Sequence, residues 1–142
     1  SMQQRVGNWI VPLSKWQSAN LQSNQVLLKQ QPMPDANTAK IAALNDHARQ
    51  TFRECRVVIT QGVAELDQAD MAHVLKEVQG YKAFTPNNDP YLEHDFGSIQ
   101  LRENTIFWKI DYYDLDLQMH SPDPSDETVT ARVLTIMLAE EY

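Results

Sequence analysis

Apolar side chains along this chain recur at two periods. From about Thr38 to Arg53, Ile41, Leu44, Ala48 and Phe52 return on one face of a helix, with Asn37 or Thr38 as the N-cap. A second helix is predicted where Asp67 caps a stripe of Met71, Val74, Leu75 and Val78 and Gly80 supplies a stop. A third is predicted where Asp123 caps, Pro124 takes the first helical position and Asp126 sits at the third, a variant of the capping box. Val129, Val133, Ile136 and Met137 then share a face that Leu134 and Leu138 widen, as expected of a well-buried helix.

The strands fall between these helices. Arg56-Val57-Val58-Ile59-Thr60 is a β-branched run closed by Gly62. Residues His94 to Leu101 and Thr105 to Leu117 flank Arg102-Glu103-Asn104 and read as a hairpin with a short loop. In the second of these strands Ile106, Trp108, Ile110 and Tyr112 occupy one face, and Phe107, Lys109, Asp111, Tyr113, Leu115 and Leu117 the other. Both faces look apolar, as in a central strand, and Lys109 and Asp111 then lie side by side on a face suited to burial. Mutual neutralisation is the plain reading, because a buried charge without a partner costs several kcal/mol.

Residues 1–34 fit neither period well. Trp9 to Leu13 is a candidate strand and Ser14 to Gln31 a candidate helix, and Pro32 and Pro34 end whatever precedes them. This segment is read as an arm, and residues 35–142 as one domain. Three strands are too few for a βαβ crossover sheet of any size. The expected fold is α+β: a small antiparallel or mixed sheet, with a candidate N-terminal strand, packed by three helices.

Charge changes the picture more than composition does. The net charge is −7, but residues 1–34 hold no acid and carry Arg5, Lys15 and Lys29. Residues 86–127 hold ten carboxylates against only Arg102 and Lys109. Such a patch argues against direct nucleic-acid binding, which needs clustered cations. It suits either a solvated surface or a protein partner with a basic surface, for which Asp89, Glu93, Asp114, Asp116, Asp123 and Asp126 are the candidate binding residues. The cationic, apolar arm is expected to dock on its own domain or on a second copy, making a homodimer. No apolar run approaches the roughly 18 residues of a membrane span, and no signal peptide is visible. Ser1 reads as a tag remnant ahead of Met2. Cys55 is the sole cysteine, so no disulfide framework forms, and a cytoplasmic location is expected.

The segments Glu93-His94-Asp95-Phe96-Gly97, Phe107-Trp108-Lys109-Ile110-Asp111-Tyr112-Tyr113-Asp114 and Ser121-Pro122-Asp123-Pro124, with the ending Val133 to Tyr142, carry a resemblance. Together with Arg56 to Thr60 and Phe84-Thr85-Pro86-Asn87-Asn88-Asp89-Pro90, they resemble a bacterial family catalogued as domain-of-unknown-function family 3768, from about Ile41 to Tyr142. The resemblance implies no activity. It implies a bacterial protein, often carried on plasmids and other mobile elements, with an accessory role there.

Chemistry must then come from the residues. His94, Asp95, Lys109, Asp111 and His120 fall in or beside one hairpin, with Glu93, Asp114 and Asp116 near them. Carboxylates and imidazoles can hold a divalent ion whose bound water hydrolyses an ester or phosphodiester. The spacing matches no established metal motif, and adjacent His94 and Asp95 on a strand point to opposite faces, so no metal or cofactor is assigned. Gly62, Gly80 and Gly97 are too scattered for a phosphate loop, and Gly97-Ser98 lacks the pattern of a nucleophile elbow. Cys55, leading into an apolar strand, reads as core rather than as a nucleophile paired with His47 or His94, and His47 and His73 read as surface groups. The preferred expectation is a non-enzymatic binding or regulatory protein, for instance one that blocks a host-defence factor. A metal-dependent hydrolase centred on residues 94–120 is the alternative.

Overall fold

A computed structural model describes residues 3–6, 9–12 and 35–142. Strands β1 (Gln3–Val6) and β2 (Trp9–Pro12) pair antiparallel as a two-stranded sheet of their own. The candidate strand at Trp9 is thus present as β2, whereas the candidate helix from Ser14 to Gln31 lies outside the described residues. Helix α1 (Ala36–Thr51) leads into β3 (Arg56–Ile59), the single turn α2 (Gln61–Ala64) and α3 (Gln68–Gln79). Then come β4 (Phe96–Leu101), β5 (Asn104–Tyr113), β6 (Ala131–Leu138) and a 3-10 turn, Ala139–Glu141. The main sheet has the order β3-β6-β5-β4, with β3 parallel to β6 and the other pairs antiparallel. The fold is α+β with a mixed sheet.

Local signals account for most of these elements. Asp35, rather than Asn37 or Thr38, caps α1, its Oδ1 accepting the Thr38 N–H at 2.7 Å. The helix ends at Phe52, whose φ of 56° is left-handed. Asp67 caps α3 through the Asp70 N–H at 2.8 Å, and Gly80 closes it. Arg102 turns the β4–β5 hairpin at φ 52° and forks onto the Asp70 carboxylate at 2.6 and 2.7 Å, fastening the hairpin to α3. At the chain's last turn the Glu141 carboxylate accepts from Thr60 Oγ1 (2.6 Å), the Leu138 N–H (2.9 Å) and the Gly62 N–H (2.9 Å). Burial works against ionisation there, but those donors outweigh it and hold Glu141 below the usual glutamate range. A Cβ on Gly62 would meet this carboxylate and Leu138, so the close approach requires glycine.

The helix predicted after Asp123 is a strand. Residues 131–138 form β6, which pairs with both β5 and β3. Its residues 132–137 are all buried, so its apolar run has no polar face to reveal a period of two, and a helix stripe reads equally well. Asp123 and Asp126 do cap backbone, but within turns. Asp123 Oδ1 accepts the Ser125 N–H and hydroxyl at 3.1 and 2.6 Å, and Asp126 Oδ1 those of Thr128 at 2.9 and 2.6 Å. The β-branched Val129, Thr130, Val133, Thr135 and Ile136 then favour the extended chain. The three helices of the described residues therefore include the short α2 in place of the expected C-terminal one.

One face of the sheet carries the main core. Ile99, Ile106, Trp108, Ile110, Leu134 and Ile136 pack against Ile41 of α1, Val63 of α2 and Val74 and Val78 of α3. Phe107, Lys109, Asp111, Val133, Thr135 and Met137 alternate onto the other face.

Candidate functional site

The connections entering β4 and leaving β5 gather at one end of the sheet, beside α1. Thr85 and Asn88 exchange side-chain and backbone hydrogen bonds of 2.8 and 3.2 Å, folding the Pro-rich segment before β4 into a turn. Leu92 and His94 follow at φ 62° and 55°, left-handed values that non-glycine residues hold only against strain. What holds His94 there is visible. Its N–H donates to Asp89 Oδ1 at 3.1 Å, its ring lies flat on Phe84 with centroids 4.0 Å apart, and Nδ1 is 3.0 Å from an Asp46 oxygen on α1. Nε2 stands 3.6 Å from Asp89 Oδ2. The imidazole thus lies between two carboxylates.

Asp46 also accepts from Arg49 Nη1 at 2.9 Å. The buried Arg49 guanidinium stacks 5.3 Å over Trp108 and 5.4 Å over Phe84 and donates to the Tyr81 carbonyl at 3.2 Å. Beside it, fully buried Asn45 ties three elements together. Its Nδ2 donates to the Tyr112 hydroxyl (2.8 Å) and the Glu93 carbonyl (2.9 Å), and its Oδ1 accepts from Arg132 Nε (2.8 Å). Tyr112 donates onward to Glu93 Oε1 at 2.7 Å, and Arg132 lies 5.3 Å over the Tyr112 ring and bonds the Pro124 carbonyl. Burial lifts the Tyr112 phenol well above its ordinary value, aided by the charges of Asp95 and Glu93. Burial also lowers Arg132, against the pull of Tyr112 and nearby acids, and raises the Cys55 thiol, which suits its reading as core.

The sequence-predicted residues divide among three places. Lys109 and Asp111 pair on the sheet face away from the helices, as expected of a neutralised couple. His94 and Glu93 join the network with α1, while Asp95 gives its carbonyl to the Ile110 N–H at 2.8 Å. His120 is exposed, bridged in backbone to Tyr113, its ring 6.4 Å from Tyr112. The sheet thus separates His94 from Lys109 and Asp111, and among the described residues no group of three or more His, Cys, Asp or Glu side chains is placed to hold a metal ion.

The acidic candidates divide too. Asp89, expected at the surface, is 3% exposed. Burial pushes its carboxyl up to about 6, against the N–H and charge of His94. Asp114 Oδ1 caps the Gln118 N–H at 2.9 Å, so with Asp123 and Asp126 it stabilises a turn. Asp116 and Asp123 are exposed, and Glu93, Asp114 and Asp126 half-buried. Beside Asp116 project Leu115, 63% exposed, and Met119, 71% exposed.

Asn45, Asp46, Arg49 and Arg132 were not singled out by sequence reasoning; Tyr112 was read as core with a hydroxyl to be met by a nearby Asp, and its partners are Asn45 and Glu93 instead. One signal existed: Asn45 and Arg49 follow Ile41 at intervals of four and so occupy the core face of α1, where polar side chains need buried partners.

Residues 59–141 match the family described as "Protein of unknown function (DUF3768)". The chain belongs to this family. The match takes in Asp89, Glu93, His94, Tyr112, Arg132 and the 114–130 loop, and begins after α1 with its Asn45, Asp46 and Arg49. No curated protein and no solved structure gives a significant match. No helix of the described residues is long and apolar enough to cross a membrane.

Proposed function

We propose that the protein is a non-enzymatic binding protein that engages a basic protein surface through the loop from residue 114 to 130. The observation that carries this reading is the display of Leu115 and Met119, 63% and 71% exposed, next to Asp116 on a loop braced from within. The bracing comes from the Asp114, Asp123 and Asp126 turns, the Ser121–Thr130 hydroxyl contact at 2.7 Å and the Asp114 N–H bond to the Met119 carbonyl at 2.8 Å. A braced loop loses little entropy on association, and apolar groups rimmed by charge suit a protein interface. Asp116, Asp123 and Glu127 supply negative charge that speeds encounter with a cationic partner. The turn-forming acids contribute to the field while serving the fold, and Asp89 is withdrawn from the contact set. An accessory role on a bacterial mobile element, such as occupying a basic site of a host-defence protein, fits this surface and rests on the family resemblance.

The test is capture from a bacterial lysate followed by titration of each purified candidate. Affinity for a basic partner should fall between roughly 50 and 300 mM salt as the Debye length shortens. Asp116→Lys should slow association, and Leu115→Ser with Met119→Ser should speed dissociation, with folding intact. A partner indifferent to salt and to all three substitutions would end the proposal.

A further inference from the structure

The imidazole of His94 presents its two nitrogens to carboxylates from two different parts of the chain. Nδ1 lies 3.0 and 3.1 Å from the oxygens of Asp46 on α1, and Nε2 lies 3.6 Å from Oδ2 of Asp89 in the segment before β4. A neutral imidazole carries one N–H, and at Nδ1 that hydrogen serves Asp46; a second proton, at Nε2, then faces Asp89. The two sides differ in solvation. The side chains of His94 and Asp46 are 32% and 31% exposed, whereas that of Asp89 is 4% exposed. Asp46 also accepts from the permanently charged Arg49 guanidinium, so its charge is answered whether or not His94 is protonated. Asp89 accepts the His94 backbone N–H, and the charge of Asp95 opposes its ionisation. We propose that residues 86–94 are a proton-operated latch, held on α1 by one proton shared between His94 Nε2 and Asp89 Oδ2 and released when that proton leaves.

With the proton present, either an imidazolium pairs with the carboxylate or a neutral imidazole faces a neutral carboxyl, and both forms are closed. With it gone, a buried anion faces an imidazole lone pair, and the neighbouring acids Asp46, Glu93 and Asp95 share its sign. The phenols of Tyr81 and Tyr112 bring no countercharge, since burial first and these acids second hold both above their ordinary values and so neutral. Opening the segment returns Asp89 to water. It also relieves the left-handed backbone of Leu92 and His94, at φ 62° and 55°. The release stays local, because the Asp95 carbonyl accepts the Ile110 N–H at 2.8 Å and fixes the chain where β4 begins. Burial is the chief reason that the Asp89 carboxyl is pushed up to about 6, which sets the change between weakly acid and neutral pH.

Hydrogen exchange of the full chain, read by peptide mass and corrected for the intrinsic effect of pH, tests the latch. The Leu92 and His94 amides both donate to Asp89, to its carbonyl at 3.2 Å and its carboxylate at 3.1 Å, and so report closure. Between pH 5 and 8 the protection of residues 86–94 should fall at least about tenfold further than that of α3. Asp89→Asn keeps an acceptor for the His94 N–H and offers Nε2 an amide hydrogen at every pH. In that variant the protection of the two segments should keep its ratio within about threefold. Equal falls in the unaltered chain, or an unequal fall that persists in Asp89→Asn, would overturn the proposal. Should the variant fail to fold, nuclear magnetic resonance of the unaltered chain decides. Groups that share a proton report the same macroscopic steps, so the Asp89 carboxyl carbon and His94 Nε2 should each show every step of the pair. Two independent single-step curves would overturn the latch.

Discussion

Replacing Asn45 by alanine tests whether one side chain organises the end of the sheet. Three bonds go at once. Buried Arg132 loses the acceptor of its Nε–H, and a hydrogen bond to a charged group contributes about 1.5–3 kcal/mol. The Glu93 carbonyl loses its amide donor, about 0.5–1.5 kcal/mol. The Tyr112 hydroxyl loses a donor to its lone pair but keeps the Glu93 carboxylate as acceptor, so its share is the smallest. With the small void left by the amide, the expected loss is about 3–5 kcal/mol, a large part of a stability of roughly 5–15 kcal/mol. Urea unfolding followed by circular dichroism, with the slope unchanged, measures it. Arg132→Met alone should be similarly costly. The double variant Asn45→Ala with Arg132→Met should fall short of the sum by at least about 1 kcal/mol, since the two lose the same bond. A loss below about 1 kcal/mol for Asn45→Ala, or strict additivity, would refute the central place given to this amide.

Two further outcomes follow from buried charges. Asp111→Ala should cost about 3–5 kcal/mol by removing the carboxylate paired with buried Lys109, and Lys109→Met with Asp111→Leu should cost much less, both read in denaturant melts; a nearly silent single change would refute the weight given to this pair. Asp89 titrates in the fold near 6 against an ordinary 3.8, so the protonated form favours folding: the stability it confers is full below pH 4 and lost as pH rises through 6. Asp89→Asn keeps the acceptor for the His94 N–H and removes the charge, so the decline of up to about 3 kcal/mol between pH 4 and 6 should vanish from its melts. Equal pH dependence in both proteins would contradict that assignment.

The elements legible in the sequence are those whose surroundings alternate. Helices α1 and α3 have one buried and one wet side, so their stripes show; β5 is buried on both faces but was fixed as a strand by its hairpin partner. Strand β6 gave no such contrast, and Asp123-Pro124 imitates a helix start because turns and helices satisfy backbone donors with the same short carboxylates. The site was less legible. Its bonds join Asn45 to Glu93, Tyr112 and Arg132, residues 48, 67 and 87 positions apart, and nothing local announces such partners. The Lys109–Asp111 couple was readable because both members lie on one face of one strand. The acidic stretch was readable as charge but not as geometry: only the folded chain separates Asp89, buried under His94, from Asp116 at the surface.

The order β3-β6-β5-β4 places the strand that follows all the others at an inner position. On the ribosome, β3 emerges long before its partner, since Arg56 pairs with Val133. Until β6 arrives, β3 and the inner edge of β5 each offer unpaired backbone to any passing strand, and the Glu141 clasp on Thr60 and Gly62 is not yet made. The sheet therefore closes late and at long range, a topology that slows folding and lengthens exposure to aggregation. A nascent chain stalled before residue 131 would hold β3, the hairpin and all three helices, yet lack the strand that joins β3 and the hairpin into one sheet.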